Sequence, residues 1–129
     1  MKEHFMKLAI QQSKRALNNN EVPIGAVIVK DNKVIARGYN KREKTKSSIN
    51  HAEIIAIQKA TKVVKDWRLE DCDIYVTLEP CPMCAGAIVN ARIKNVYFGA
   101  YDKNSTSNLC ELILKDKRLN HKCNIEGGI

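Results

Sequence analysis

The stretch Ile74-Tyr75-Val76-Thr77-Leu78-Glu79-Pro80-Cys81-Pro82-Met83-Cys84, read on through Ala85–Asn90 to Val96-Tyr97-Phe98-Gly99, decides the fold. Ile74–Leu78 is rich in β-branched and aromatic residues and reads as a strand. Pro82 suits the first turn of a helix, where its missing N–H would have had no partner, and that helix runs to about Asn90. Val96–Gly99 is a second strand. Strand, helix and strand in so short a span form a βαβ unit, so the two strands are expected parallel with a right-handed crossover.

Outward from this unit, residues 3 to 18 read as a helix, with Met6, Ile10, Ser13 and Leu17 on one stripe and Phe5, Ala9 and Ala16 beside it. Ala26–Val29 and a segment starting at Val34 are short apolar runs joined by the turn Asp31-Asn32, which makes an antiparallel hairpin. Residues 41 to 50 are polar and basic and read as a loop. Asn50 can cap a helix from about His51 to Lys65, whose apolar residues lie nearly all round it, so burial between two layers is expected. Trp67 is expected to plug the core edge. Residues 100 to 108 read as a loop, Leu109–Leu114 as a short helix and Lys122–Ile125 as a last strand. The sum is a mixed sheet with helices on both faces.

At 129 residues the chain is expected to form one domain, 1–129. No apolar run approaches the roughly 20 residues of a membrane span, and Met1–Phe5 lacks the apolar core of a signal peptide. A cytoplasmic location is expected. Five cysteines cannot pair completely; Cys72, Cys110 and Cys123 read as buried free thiols. The net charge of +8, from 22 basic and 14 acidic residues, favours a polyanionic partner, most simply nucleic acid.

Cys81 and Cys84 form a Cys-x-x-Cys pair at a helix start, and His51 opens another helix. One imidazole and two thiolates suit a zinc ion with an open fourth position, where water becomes a nucleophile near neutral pH. Helix N-termini favour the thiolate form. Glu53, two residues beyond His51, can shuttle protons. Residues two apart on a helix do not face each other, so a shared site must lie off the helix end. Other readings are a redox pair, a structural zinc knuckle, an ordinary core histidine, and a capping box of Asn50 with Glu53 at its N3 position. The combination favours catalysis, because His-x-Glu followed by Pro-Cys-x-x-Cys is the known signature of zinc nucleobase deaminases.

The chain resembles the cytidine-deaminase-like superfamily, and more closely its bacterial tRNA-specific adenosine deaminases. The matching stretches include Glu21–Val27, Tyr39-Asn40, His51–Ile54, Tyr75–Ile88, Arg92-Ile93, Phe98–Ala100 and Asn120-His121. The resemblance implies a three-layer α/β/α fold with a central mixed sheet of about five strands. It implies a homodimer with one Zn²⁺ per subunit, held by His51, Cys81 and Cys84, and Glu53 as proton shuttle. It also implies that Asn40 and the backbone of Ala52 hydrogen-bond the base and that Ile24 lines the pocket. Two departures concern the RNA side: family members continue into a C-terminal helix where this chain stops at Ile129, and their loop after Asp102 is usually glycine-rich with a lysine, whereas here it reads Lys103–Asn108.

The implied reaction is hydrolytic deamination of the wobble adenosine in a tRNA anticodon loop to inosine. Lys41, Arg42, Lys44 and Lys46, just ahead of His51, are candidates for RNA phosphate contacts. A deaminase of free guanine or cytosine and a non-catalytic zinc RNA-binding module are the alternatives.

Overall fold

The computed structural model describes residues 2–102, 109–119 and 121–129. The elements are α1 (Lys2–Asn18), β1 (Gly25–Lys30), β2 (Lys33–Tyr39), α2 (Arg42–Thr45), α3 (Ala52–Val64), β3 (Cys72–Leu78), α4 (Pro82–Asn90), β4 (Asn95–Ala100), α5 (Leu109–Lys115) and β5 (Asn124–Glu126). One mixed sheet has the order β2-β1-β3-β4-β5. β1 runs antiparallel to both β2 and β3, while β3, β4 and β5 are parallel. The hairpin and the βαβ unit read from the sequence are both present.

Alternation along the strands splits the core between two faces. Val27, Val29 and Tyr75 pack with Phe5, Met6 and Ala9 of α1. Ala26, Ile28, Ile74 and Val76 face the other way, against alanines of α3 and Ile88 and Val89 of α4, with Cys72, Cys110 and Cys123 buried in the same cluster. The result is the expected three layers, helix, sheet and helix.

Close packing at two glycines sets the helices against the hairpin. A Cβ on Gly25 would collide with Ala9 O of α1. A Cβ on Gly38 would lie 2.5 Å from Ala52 O and 2.9 Å from Ala56 N of α3. Gly38 thus fixes where α3 begins.

Four local expectations need correction. The buried stripe of α1 is Phe5, Met6, Ala9, Gln12 and Ala16, while Ile10 and Leu17 are exposed; close approach to Gly25 selects small residues over the larger Ile10 and Leu17. Helix α3 buries Ala52, Glu53, Ile55, Ala56 and Ala60 but exposes Val63, because the sheet lies on one side of it only. Trp67 is 51% exposed and has the guanidinium groups of Arg68 and Arg92 over its ring, 4.4 and 5.4 Å from the centroid, where cation–π attraction replaces core packing. The segment 41–50 contains a one-turn helix, α2.

Candidate active site

His51 is the N-cap of α3, with φ −72° and ψ 157°, and Cys81 is the N-cap of α4, with φ −70° and ψ 168°. Neither side chain caps its own helix, so imidazole and sulfur are both turned to other partners. Cys81 follows β3 through Glu79-Pro80, which sets the site off the carboxyl end of a parallel strand, the usual place for ligands in open α/β sheets. Cys84 lies on the first turn of α4 and is buried.

His51 Nδ1 lies 3.7 Å from Cys81 Sγ and 3.5 Å from Cys84 Sγ. All three ligand atoms fall within 4.8 Å of one another, and the group could hold a metal ion. A tetrahedral ion with ordinary zinc–sulfur and zinc–nitrogen bonds needs its ligand atoms about 3.6 Å apart, so the donor set and its spacing fit zinc. As the residues stand, the Cys84 thiol donates to Cys81 and, with the Cys84 N–H and His51, holds the Cys81 thiol down to about 5 against the effect of burial. Cys84 itself is driven far up, first by the Cys81 sulfur and then by burial. Two sulfurs sharing one proton are a poor resting state for a buried pair and a good one for a cation to resolve.

Glu53 is 3% exposed, and its Oε1 is the one buried side-chain polar atom among the described residues with no hydrogen-bond partner. Burial pushes its carboxyl up to about 7, with the charge on Cys81 adding to the effect. The capping-box reading does not hold: His51, not Asn50, is the N-cap, so Glu53 is at N2, and the Asn50 amide instead donates to Thr45 Oγ1 at 2.6 Å.

Lys41 N–H donates to Asn50 O at 3.0 Å, so Asn40 and His51 flank one hydrogen bond. Asn40 N–H donates to Ile24 O at 3.1 Å, which brings Ile24 to the same side. The buried Asn40 side chain accepts Arg42 N–H at 3.1 Å and donates to Val22 O at 3.4 Å. Ala52 is fully buried at the first turn of α3, where the N–H groups have no partner within the helix.

Two acidic residues carry more than the sequence suggested. Glu21 is buried, and its carboxylate accepts the N–H groups of Glu43 and Lys44 at 3.0 and 2.8 Å. It thereby fastens the basic segment 41–46 to the turn after α1. Its position before a β hairpin gave no sign of this, since the partners are backbone groups on a segment read as loop. Glu79 accepts Asp102 N–H at 3.1 Å and so ties the chain before Cys81 to the segment just after β4. Lys103–Asn108 and Asn120 lie outside the described residues.

The family model of MafB19-like deaminases matches residues 1–129. The tRNA-specific adenosine deaminase of Bacillus subtilis (strain 168) is 47% identical over 128 residues, 98% of this chain and 80% of that protein. A chain solved in studies of A-to-I editing by tRNA:A34 deaminases at the wobble position superposes with a TM-score of 0.90 at 38% identity, covering 98% of this chain and 92% of that one. The guanine deaminase of Bacillus subtilis gives a TM-score of 0.75 at 44% identity, covering 77% of this chain and 64% of that one. With its whole length matched by the deaminase family and its identity to a relative sustained from end to end, this chain belongs to the tRNA-specific adenosine deaminase family.

Proposed function

We propose that this chain is a zinc-dependent hydrolase that converts the wobble adenosine of a tRNA anticodon loop to inosine, with His51, Cys81 and Cys84 holding one zinc and Glu53 carrying protons. The observation that carries the chemistry is the buried, partnerless Oε1 of Glu53 beside the His/Cys/Cys cluster. Folded proteins rarely leave such an atom unpaired unless another group uses it. When bound, zinc supplies the Lewis acidity that makes water nucleophilic near neutral pH.

Glu53 takes a proton from the attacking water and returns it to the ring nitrogen of the base, and the second water proton leaves with the amine. Water enters and ammonia departs, so the atoms balance. A carboxyl whose burial brings it near neutrality is suited to both halves of that transfer. Asn40 keeps one amide hydrogen and one lone pair beyond its two internal bonds, and the first N–H groups of α3 at Ala52 add a backbone donor, so both can orient the base. Ile24 beside them supplies apolar lining.

The RNA substrate is supported by family membership, by the charge of +8, and by the anchored basic segment beside His51. The same reading extends to a homodimer, as the resemblance implies, of one-domain subunits spanning 1–129 in the cytoplasm; sedimentation of the zinc-loaded protein tests the dimer. Among the described residues no helix is long and apolar enough to cross a membrane. A second reading, deamination of free guanine, is favoured by the 44% identity to a guanine deaminase. Inosine formation in an anticodon stem-loop, measured beside ammonia release from free guanine, cytosine and adenine, separates the two. Turnover on RNA alone is expected; turnover of guanine with none on RNA selects the second reading.

A further inference from the structure

A groove of about 500 Å³ wraps the free edge of β2, between α1 and α3. Five cations line it: Arg15 from α1, Arg37 from β2, Lys41 just after β2, and Lys59 and Lys62 from α3. No carboxylate is among its lining residues. Among the described residues, the ion pairs found involve none of the five. Two of them meet at Tyr39, with the Arg15 guanidinium 5.1 Å and the Lys41 ammonium 4.7 Å from its ring centroid. Burial and the charges of Lys41 and Arg15 lower the pKa of Lys59. The fold therefore gathers like charges around a concave surface and leaves their repulsion without a counter-charge.

We propose that this groove is a second RNA contact, which binds backbone phosphates outside the reacting loop without reading sequence. The inference rests on the RNA-deaminase reading only for the identity of the polyanion. Charge complementarity and shape both favour a chain of phosphates over a single one. From Ile35 to Tyr39 the lined edge extends about 13 Å at 3.3 Å per residue. Through Lys41 it continues into the basic segment 41–46, which the Lys41–Asn50 hydrogen bond holds against His51. As an edge strand β2 also presents backbone N–H groups without a ladder partner on that side. These are donors for phosphate oxygens. Arginine and lysine heads with a backbone edge, and no side chain carrying both a donor and an acceptor except Gln12 and Tyr39, supply positioning rather than base discrimination.

The test uses full-length tRNA and the zinc-loaded protein. Lys59→Gln with Lys62→Gln removes two groove charges from exposed positions of α3. Lys94→Gln with Lys122→Gln, ahead of β4 and β5 at the opposite side of the sheet, removes the same net charge elsewhere. Tight binding is read by fluorescence anisotropy across a salt series. The groove variant is expected to flatten the slope of log affinity against log salt by about 2, to bind tRNA at least several-fold more weakly, and to keep its turnover at saturating RNA. The control pair should change the slope by less than half as much. Equal slopes for wild type and the groove variant, or equal losses in groove and control variants, overturn the proposal. Loss of tripolyphosphate binding with an unchanged tRNA slope also overturns it and makes the groove a site for free polyphosphate. Because the slope needs no turnover, an absence of inosine on any RNA would reject the catalytic reading while leaving this result to stand or fall separately.

Discussion

Cys84 Sγ lies 3.5 Å from His51 Nδ1, although 33 residues separate them in the chain. With the contact of His51 Nδ1 to Cys81 Sγ at 3.7 Å, it joins the N-termini of α3 and α4. A cation held there would tie the two helix starts together and bind the folded chain more tightly than the unfolded one. Elemental analysis should therefore find about one zinc per chain. Chelation should lower the melting temperature by about 5 °C or more, since a ligand at a hundredfold excess over its dissociation constant contributes about 2.7 kcal/mol. Full zinc retention in a Cys81→Ala, Cys84→Ala double variant would sink the site.

Glu53 sits at N2 of α3, buried and with Oε1 unpartnered beside the His/Cys/Cys cluster, so the loss of its basicity should cost catalysis most. Glu53→Gln keeps the shape and loses the base. Turnover should fall by at least ~10²-fold, while zinc content stays the same and the free energy of unfolding changes by no more than about 1 kcal/mol. Activity near wild type would leave Glu53 as an ordinary buried acid.

The βαβ unit and the hairpin were legible because β-branched runs, Pro82 and a two-residue turn are local signals. The donor set was legible because a Cys-x-x-Cys pair at a helix start with His-x-Glu at another leaves few other uses for those residues. What stayed hidden depends on tertiary contact. The stripe of α1 turns on the absence of a side chain at Gly25, in another element. The N-cap of α3 is His51 because Asn50 is drawn away to Thr45, a partner in a turn that no periodicity announces. Trp67 looked like core by composition, yet two guanidinium groups make its exposed position favourable. The work of Glu21 lies in backbone N–H groups 22 and 23 residues away.

The buried Glu21 carboxylate supports the α2 turn beside the Asn40 and Asn50 bonds, and losing it leaves the Glu43 and Lys44 N–H groups without that acceptor. Glu21→Ala should destabilise the protein by about 1–3 kcal/mol. Trypsin should then cut faster within Arg42–Lys46 than in wild type, as the segment opens locally. The Michaelis constant for RNA should rise more than turnover at saturation falls, because the segment adjoins the site without touching the reacting carbon. Glu21→Gln, which keeps one acceptor, should recover part of each effect. Unchanged proteolysis in Glu21→Ala would mean that the segment is held by other contacts.

The missing methyl at Gly38 bears on metal affinity through the start of α3. An added Cβ would meet Ala52 O at 2.5 Å and Ala56 N at 2.9 Å. Both are backbone atoms, so no rotamer change relieves the clash, and α3 must retreat by roughly 1 Å to reach ordinary contact distances near 3.5 Å. Overpacking of this kind costs about 1–3 kcal/mol. Ala52 follows His51 directly, so the retreat shifts the imidazole relative to Cys81 and Cys84 at the start of α4 and disturbs the spacing of the three. Gly38→Ala should therefore be less stable and bind zinc at least ~10-fold more weakly, with every ligand residue still present. Gly86→Ala is the matched control: it sits within α4, an added Cβ there meets nothing within 4 Å, and alanine is the better helix former by about 0.5–1 kcal/mol. That variant should keep wild-type zinc affinity and gain slightly in stability. Equal zinc affinity in the two variants, measured by competition with a chelating dye, would show that the start of α3 is positioned by something other than its contact with Gly38.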